Sequence, residues 1–140
     1  GAKITVTYNR NKEKGILLGR ELEANVVSIQ DVGKEEVDVL INCSPVGMSP
    51  NLEETPISSG CLRKGMVVFD SVYNPPETRL IREAKAAGCI TISGVELFIN
   101  QAVGQFELWT GEKAPVNIMR DVVLKGLDDE IKLIDLSSKN

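Results

Sequence analysis

Four short, mostly apolar runs at 26–29, 37–41, 66–70 and 89–92, rich in Val and Ile, constrain this chain more than any other feature. They lack the polar alternation of a half-solvated strand, so they predict strands buried on both faces, the pattern of a parallel sheet. A further strand is predicted over 3–8, where Ile4, Val6 and Tyr8 alternate with Lys3, Thr5 and Thr7. Helical spacing fills the intervals. Ile16, Leu18 and Leu22 predict a helix over 12–24, weakened by Gly15 and Gly19. Asn74-Pro75-Pro76-Glu77 offers a cap and first turn for a helix striped by Leu80, Ile81, Ala84 and Ala87 and stopped by Gly88. Ser93-Gly94-Val95-Glu96 has the form of a capping box, after which Val95, Phe98, Ile99, Ala102, Phe106 and Trp109 recur until Gly111. Ala114-Pro115 opens a last helix carrying Val116, Met119, Val122 and Val123, predicted to end at Gly126.

Strand alternating with helix is α/β order, and 140 residues suffice for one domain. That domain is predicted over 1–126, with a tail at 127–140 where Asp, Ser and Lys accumulate. A formal charge of -4 argues against a general nucleic-acid or anionic-membrane surface. The absence of histidine removes His-based triads, HExxH zinc sites and imidazole acid–base catalysis. Cys43, Cys61 and Cys89 form no CxxC pair and are odd in number, which predicts free thiols in a reducing compartment. No apolar run approaches the ~18–20 residues of a membrane span, and the N-terminus shows no signal-peptide pattern, so a soluble segment is expected.

In open α/β sheets ligands bind outside the carboxyl ends of the strands. Each predicted strand end carries a polar or glycine-containing turn: Asn9-Arg10, Asn42-Cys43-Ser44-Pro45-Val46-Gly47, Asp70-Ser71-Val72-Tyr73 and Ser93-Gly94. These four turns are expected to converge on one cleft. An arginine at the end of the second strand of a dinucleotide-binding sheet accommodates the 2′-phosphate of NADP, where an acidic residue would take the ribose of NAD. Arg10, with Lys12 and Lys14 beside it, fits the first case, and equally fits a solvated basic turn ahead of a helix. Residues 42–47 read as a loop that lets backbone approach a ribose, or simply as a loop. Tyr73 reads as an aromatic packed at a strand end or as a hydrogen-bond donor. Gln101 and Gln105, at i and i+4, share one helix face outside the apolar stripe, the usual place for solvated amides. Asp70 reads as a turn or cap residue, and the cysteines as small buried hydrophobes.

Together, Tyr8-Asn9-Arg10, the 42–51 segment, Phe69-Asp70-Ser71-Val72-Tyr73-Asn74-Pro75, and Gly94-Val95-Glu96-Leu97-Phe98 with Gln101 and residues 105–111 resemble the cofactor-binding half of the shikimate dehydrogenase family. Order and spacing match over about 1–125, and residues 53–58 look most like the plant bifunctional dehydroquinate dehydratase/shikimate dehydrogenase. The resemblance implies a Rossmann-like parallel sheet flanked by helices, NADP as cofactor, and reversible reduction of 3-dehydroshikimate to shikimate in aromatic amino acid and chorismate biosynthesis. It further implies that Asn9, Arg10 and Lys14 hold the 2′-phosphate, that Asn42, Cys43 and Ser44 border the nicotinamide ribose, and that Ser71, Gly94 and Leu97 border the nicotinamide. Tyr73, Gln101 and Gln105 would reach the substrate. The threonine usual in the family after Asn-Arg is Asn11 here.

Two parts of the family pattern are absent. Only eight residues precede Asn9, whereas the glycine-rich phosphate loop lies roughly 20 residues upstream of the recognition residue, and no GxGxxG occurs. The fold is therefore expected to be truncated at its N-terminus, lacking the first strand and that loop. The N-terminal substrate domain with the catalytic Lys/Asp pair is also absent, so no catalytic residue is assigned to this chain, which is expected to be inactive alone. In strand order 3-2-1-4-5-6 the absent strand is central and leaves a gap of about 10 Å, twice the ~4.8 Å strand spacing. An upstream segment, a second copy of the chain, or residues 130–136, with Ile131, Leu133 and Leu136, would fill it. The resemblance places the protein in the cytoplasm, or in a plastid if it comes from a plant. A non-catalytic nucleotide-sensing or oligomerisation module and a quinate dehydrogenase are the alternatives. No metal, nucleic-acid or membrane partner is expected.

Overall fold

β-Branched residues suit the pleated backbone, and five strands form at the predicted places: β1 (Thr5–Tyr8), β2 (Asn25–Ser28), β3 (Val39–Asn42), β4 (Val67–Asp70) and β5 (Ile90–Ile92). The computed structural model describes residues 1–137, with side-chain surroundings for 1–129. It joins the strands into two parallel sheets. β1 pairs with β2, Val6 opposite Val26. In the other sheet, ordered β3-β4-β5, Leu40, Val68 and Thr91 lie abreast. Among the described residues no ladder joins the two sheets, so the predicted interruption is present.

The expectation of strands buried on both faces fails for β3 and β5. Parallel register aligns Val39, Val67 and Ile90, then Ile41, Phe69 and Ile92, on one face. Val39, Ile41, Ile90 and Ile92 are exposed there. The opposite face, under α2 (Arg79–Ala86), carries the core: Val68, Leu80 and Ala84, with Ile57, Leu62 and Met66. Each fully buried Leu or Val contributes roughly 1.5–3 kcal/mol.

Helix α1 (Lys12–Glu21) packs on β1 and β2 and is shorter than predicted. Its Asn11 cap accepts the Lys14 N–H at 2.9 Å. Gly15 and Gly19 are its buried contact face rather than flaws: a Cβ at Gly19 would come within 2.1 Å of Val26 Cγ2. α2 is capped by Thr78, whose hydroxyl accepts the Ile81 N–H, and not by Asn74. Pro76 pushes the preceding Pro75 out of the helical region, so no helical turn follows directly on Asn74 and the helix starts beyond both prolines. Gly88, at φ +77°, follows its end.

α3 (Gly94–Thr110) and α4 (Val116–Ser137) form a hairpin with its own core of Val95, Ile99 and Leu127, supported by Val103, Val116 and Val123. Gly111, at φ +71°, closes α3 as predicted. The capping box does not form: Ser93 makes no side-chain cap bond, and the Glu96 carboxylate is taken by Arg120 of α4 in a bidentate pair, one contact of which measures 2.9 Å. Phe98 leaves the buried stripe, and Trp109 is 76% exposed. α4 runs through Gly126 because burying Leu127 outweighs the ~1 kcal/mol cost of an interior glycine. The 130–136 segment is thus helical and cannot serve as the central strand. Residues 138–140 of the predicted tail lie outside the described residues.

Candidate functional site

At the carboxyl end of the three-stranded sheet, Asn42 and Asp70 finish neighbouring strands in register and both point inward, buried. Asp70, expected as a turn or cap residue, is instead completely buried, and its acceptor atoms are satisfied from three directions. Asn42 Nδ2 donates to Oδ1 at 2.9 Å, the Val72 N–H to the same oxygen at 3.1 Å, and the Thr78 hydroxyl to Oδ2 at 2.6 Å. The other end of the Asn42 amide shapes the following loop: its Oδ1 accepts the Ser44 N–H at 3.0 Å and the Ser44 O–H at 2.7 Å. Asn42 Nδ2 also reaches the Val46 carbonyl at 3.3 Å. Loop 42–47 and segment 71–73 are therefore tied to one carboxylate.

The third wall is the start of α3. A Cβ on Gly94 would lie 2.2 Å from the Val72 carbonyl oxygen, so only glycine permits this contact of backbone with backbone. It sets the helix against the Ser71–Tyr73 turn. The exposed Tyr73 ring stacks on Phe98 with centroids 4.9 Å apart and planes 19° from parallel. Leu97, Gln101 and Gln105, four residues apart, form one exposed stripe running away from that stack. The Arg120 guanidinium, hydrogen-bonded to Glu96, holds its carboxyl below the usual carboxylate range and clamps the base of α3 to α4. The interior of this edge is thus pre-arranged, while Tyr73 and the glutamines remain open to a ligand.

The fourth turn stands on the other sheet. Asn9 and Arg10 follow β1, and Lys14 lies in the first turn of α1; all three are exposed. Positive side chains beside a helix N-terminus suit a phosphate. The Asn11 side chain is committed to capping α1 through the Lys14 N–H.

The structure thus gathers residues 42–47, 71–73 and 93–97, and leaves 9–14 on a separate sheet. Of the cysteines, all unbridged, Cys43 is exposed beside Asn42, contrary to the expectation of burial, because the residue next to an inward strand-end side chain points outward. Cys61 and Cys89 pack against the main core. Hollows of about 410 Å³ at 113–118 and 370 Å³ between 29–33 and 55–61 are not lined by any of these site residues. Sequence reasoning missed Thr78 and Phe98 as partners of Asp70 and Tyr73. Among the described residues, no helix is long and apolar enough to cross a membrane.

Residues 94–124 match the family model described as the shikimate 5′-dehydrogenase C-terminal domain. Over 136 residues, 91% of this chain, it is 43% identical to the shikimate dehydrogenase (NADP(+)) of Methanosarcina mazei, covering 48% of that protein. It is 41% identical over 128 residues, 89% of the chain, to the chloroplastic bifunctional 3-dehydroquinate dehydratase/shikimate dehydrogenase of Arabidopsis thaliana, covering 21% of it. A solved shikimate dehydrogenase in complex with NADP+ superposes with a TM-score of 0.78 at 32% identity, over 89% of this chain and 47% of that one. Apart from the bifunctional plant protein, the chain spans about half the length of these relatives.

Proposed function

We propose, for a chain that belongs to the shikimate dehydrogenase family as its C-terminal domain, that it forms the NADP-binding half of an oxidoreductase interconverting 3-dehydroshikimate and shikimate. The observation that carries this is the meeting of loop 42–47, segment 71–73 and the start of α3 at one sheet edge, tied together by Asp70 and the close approach of Gly94. When bound, NADP supplies a hydride donor or acceptor at nicotinamide C4. Arg10 and Lys14 bind the 2′-phosphate by charge-assisted hydrogen bonds worth roughly 1.5–3 kcal/mol each, and Asn9 adds an amide. Asn42, Cys43 and Ser44 border the nicotinamide ribose. Ser71, Gly94 and Leu97 form the wall that orients the ring and excludes water from one side. Tyr73, Gln101 and Gln105 hydrogen-bond the hydroxyls or carboxylate of the substrate. Residues 1–126 carry this cofactor function.

The proton is handled by a Lys/Asp pair in an N-terminal substrate domain, which together with the central strand and phosphate loop comes from sequence outside these 140 residues. That the chain spans half of its relatives supports this division. Such an enzyme works in the cytoplasm, or in the plastid of a plant. A pure nucleotide sensor would have no use for the substrate-facing Tyr73 and Gln101 beside the cofactor wall. Arg10→Ala in the full-length protein containing this chain should raise KM for NADP ten- to a hundredfold while changing KM for NAD less than twofold. Equal losses remove Arg10 from the phosphate role. Quinate assayed beside shikimate identifies the substrate.

A further inference from the structure

We propose that Asp70 is a positioning residue for the nicotinamide end of the site, setting which way the Asn42 carboxamide faces and fixing the Ser71–Tyr73 segment. The inference rests on the function proposed above and deepens it. An amide has a donor end and an acceptor end of nearly the same shape, and Asp70 Oδ1, which takes the Val72 backbone N–H, is an acceptor. Asp70 therefore compels Asn42 to turn Nδ2 toward it, which delivers Oδ1 to the Ser44 N–H and O–H. The same Asp70 oxygen takes the Val72 N–H, against whose carbonyl Gly94 starts α3. On the far side Thr78 holds Oδ2 at 2.6 Å, so a residue eight positions along the chain, at the cap of α2, steadies the carboxylate. Among the described residues the carboxylate meets these three neutral donors, and it is completely buried. Loop 42–47, segment 71–73 and the α3 N-terminus thus share one reference point, which touches neither cofactor nor substrate. The turn at 9–14, on the other sheet, does not.

The test compares Asp70→Asn, Thr78→Val and Thr78→Ser in the full-length protein, with NADP and shikimate. Asp70→Asn keeps the shape and puts a donor NH2 in place of one carboxyl oxygen. It should lower kcat at least tenfold while KM for NADP stays within about threefold, since the phosphate end is untouched. Thr78→Val should lower kcat about fivefold, and Thr78→Ser should restore it. A merely structural role would reduce the yield of folded protein and leave kcat per folded site unchanged. Folded Asp70→Asn and Thr78→Val proteins with kcat within twofold of wild type, or with the loss carried by KM for NADP, overturn the proposal. If Asp70→Asn does not fold, the Thr78 pair decides by the same criteria. A wild-type protein that does not oxidise shikimate with NADP overturns the functional reading and this inference with it, whereas an active wild type with unaffected variants overturns this inference alone.

Discussion

The two sheets use the same elements, short parallel strands and an amphipathic helix, and are held together quite differently. In the three-stranded sheet, α2 buries Leu80 and Ala84 in one cluster with Val68, and a carboxylate ties the strand ends together. In the two-stranded sheet the only fully buried positions of α1 are Gly15 and Gly19, and Leu17, Leu18 and Leu22 stay exposed. A lone two-stranded pair is marginal in water. The lesson is that the sheet edge carrying Asn42 and Asp70 is built on a side-chain core, whereas the turn at 9–14 rests on close backbone packing at Gly15 and Gly19.

The contrast breaks most visibly if core truncations cost the same in both halves. Leu80→Ala, at a side chain 1% exposed, should destabilise by about 3 kcal/mol, while Leu18→Ala, at 45% exposure, should cost less than about 1 kcal/mol. Urea unfolding of the two variants measures this, and similar midpoints would erase the distinction. Gly19→Ala sharpens it. Helix propensity alone would gain about 1 kcal/mol, but the new methyl meets the stiff Val26 side chain, so a net loss of about 1 kcal/mol is expected, confined to amides of β1, α1 and β2 in hydrogen exchange. The smallest effect lies in the helical hairpin. The Glu96 pKa is lowered in the folded state by Arg120, so its contribution is complete above the ordinary glutamate pKa of about 4.3 and is lost as pH falls below it. The side chains are 41% and 36% exposed, which limits the effect to less than about 1 kcal/mol. Glu96→Gln should flatten that part of the acid limb of stability; an unchanged limb would dismiss the pair.

Most of the fold was legible because its signals are local. Apolar runs gave the strands, Gly88 and Gly111 gave helix ends, and three of the four turns at the strand ends meet at the candidate site while that at 9–14 stands on the other sheet. What escaped depends on partners distant in sequence. Asp70 looks like a turn residue until Asn42, 28 positions away, is seen to donate to it. Glu96 has the spacing of a capping box, but Arg120, 24 positions on, offers two charged donors against the single backbone N–H of a cap. The Asn74 cap fails for a local reason, since the second of two adjacent prolines bars the first from a helical turn. In the site, the Tyr73–Phe98 stack was hidden because Phe98 has the spacing of a core residue, and only the completed hairpin core of Val95 and Ile99 shows that it is surplus there.

The bare contact between Gly94 and the Val72 carbonyl has a mechanical corollary. With no side chain between them to act as a cushion, a shift of a few tenths of an ångström in the turn is handed undiminished to a seventeen-residue rod. Tilting that rod about its anchored end swings Gln105 farther than Gln101, so play at the pivot grows into misalignment at the tip.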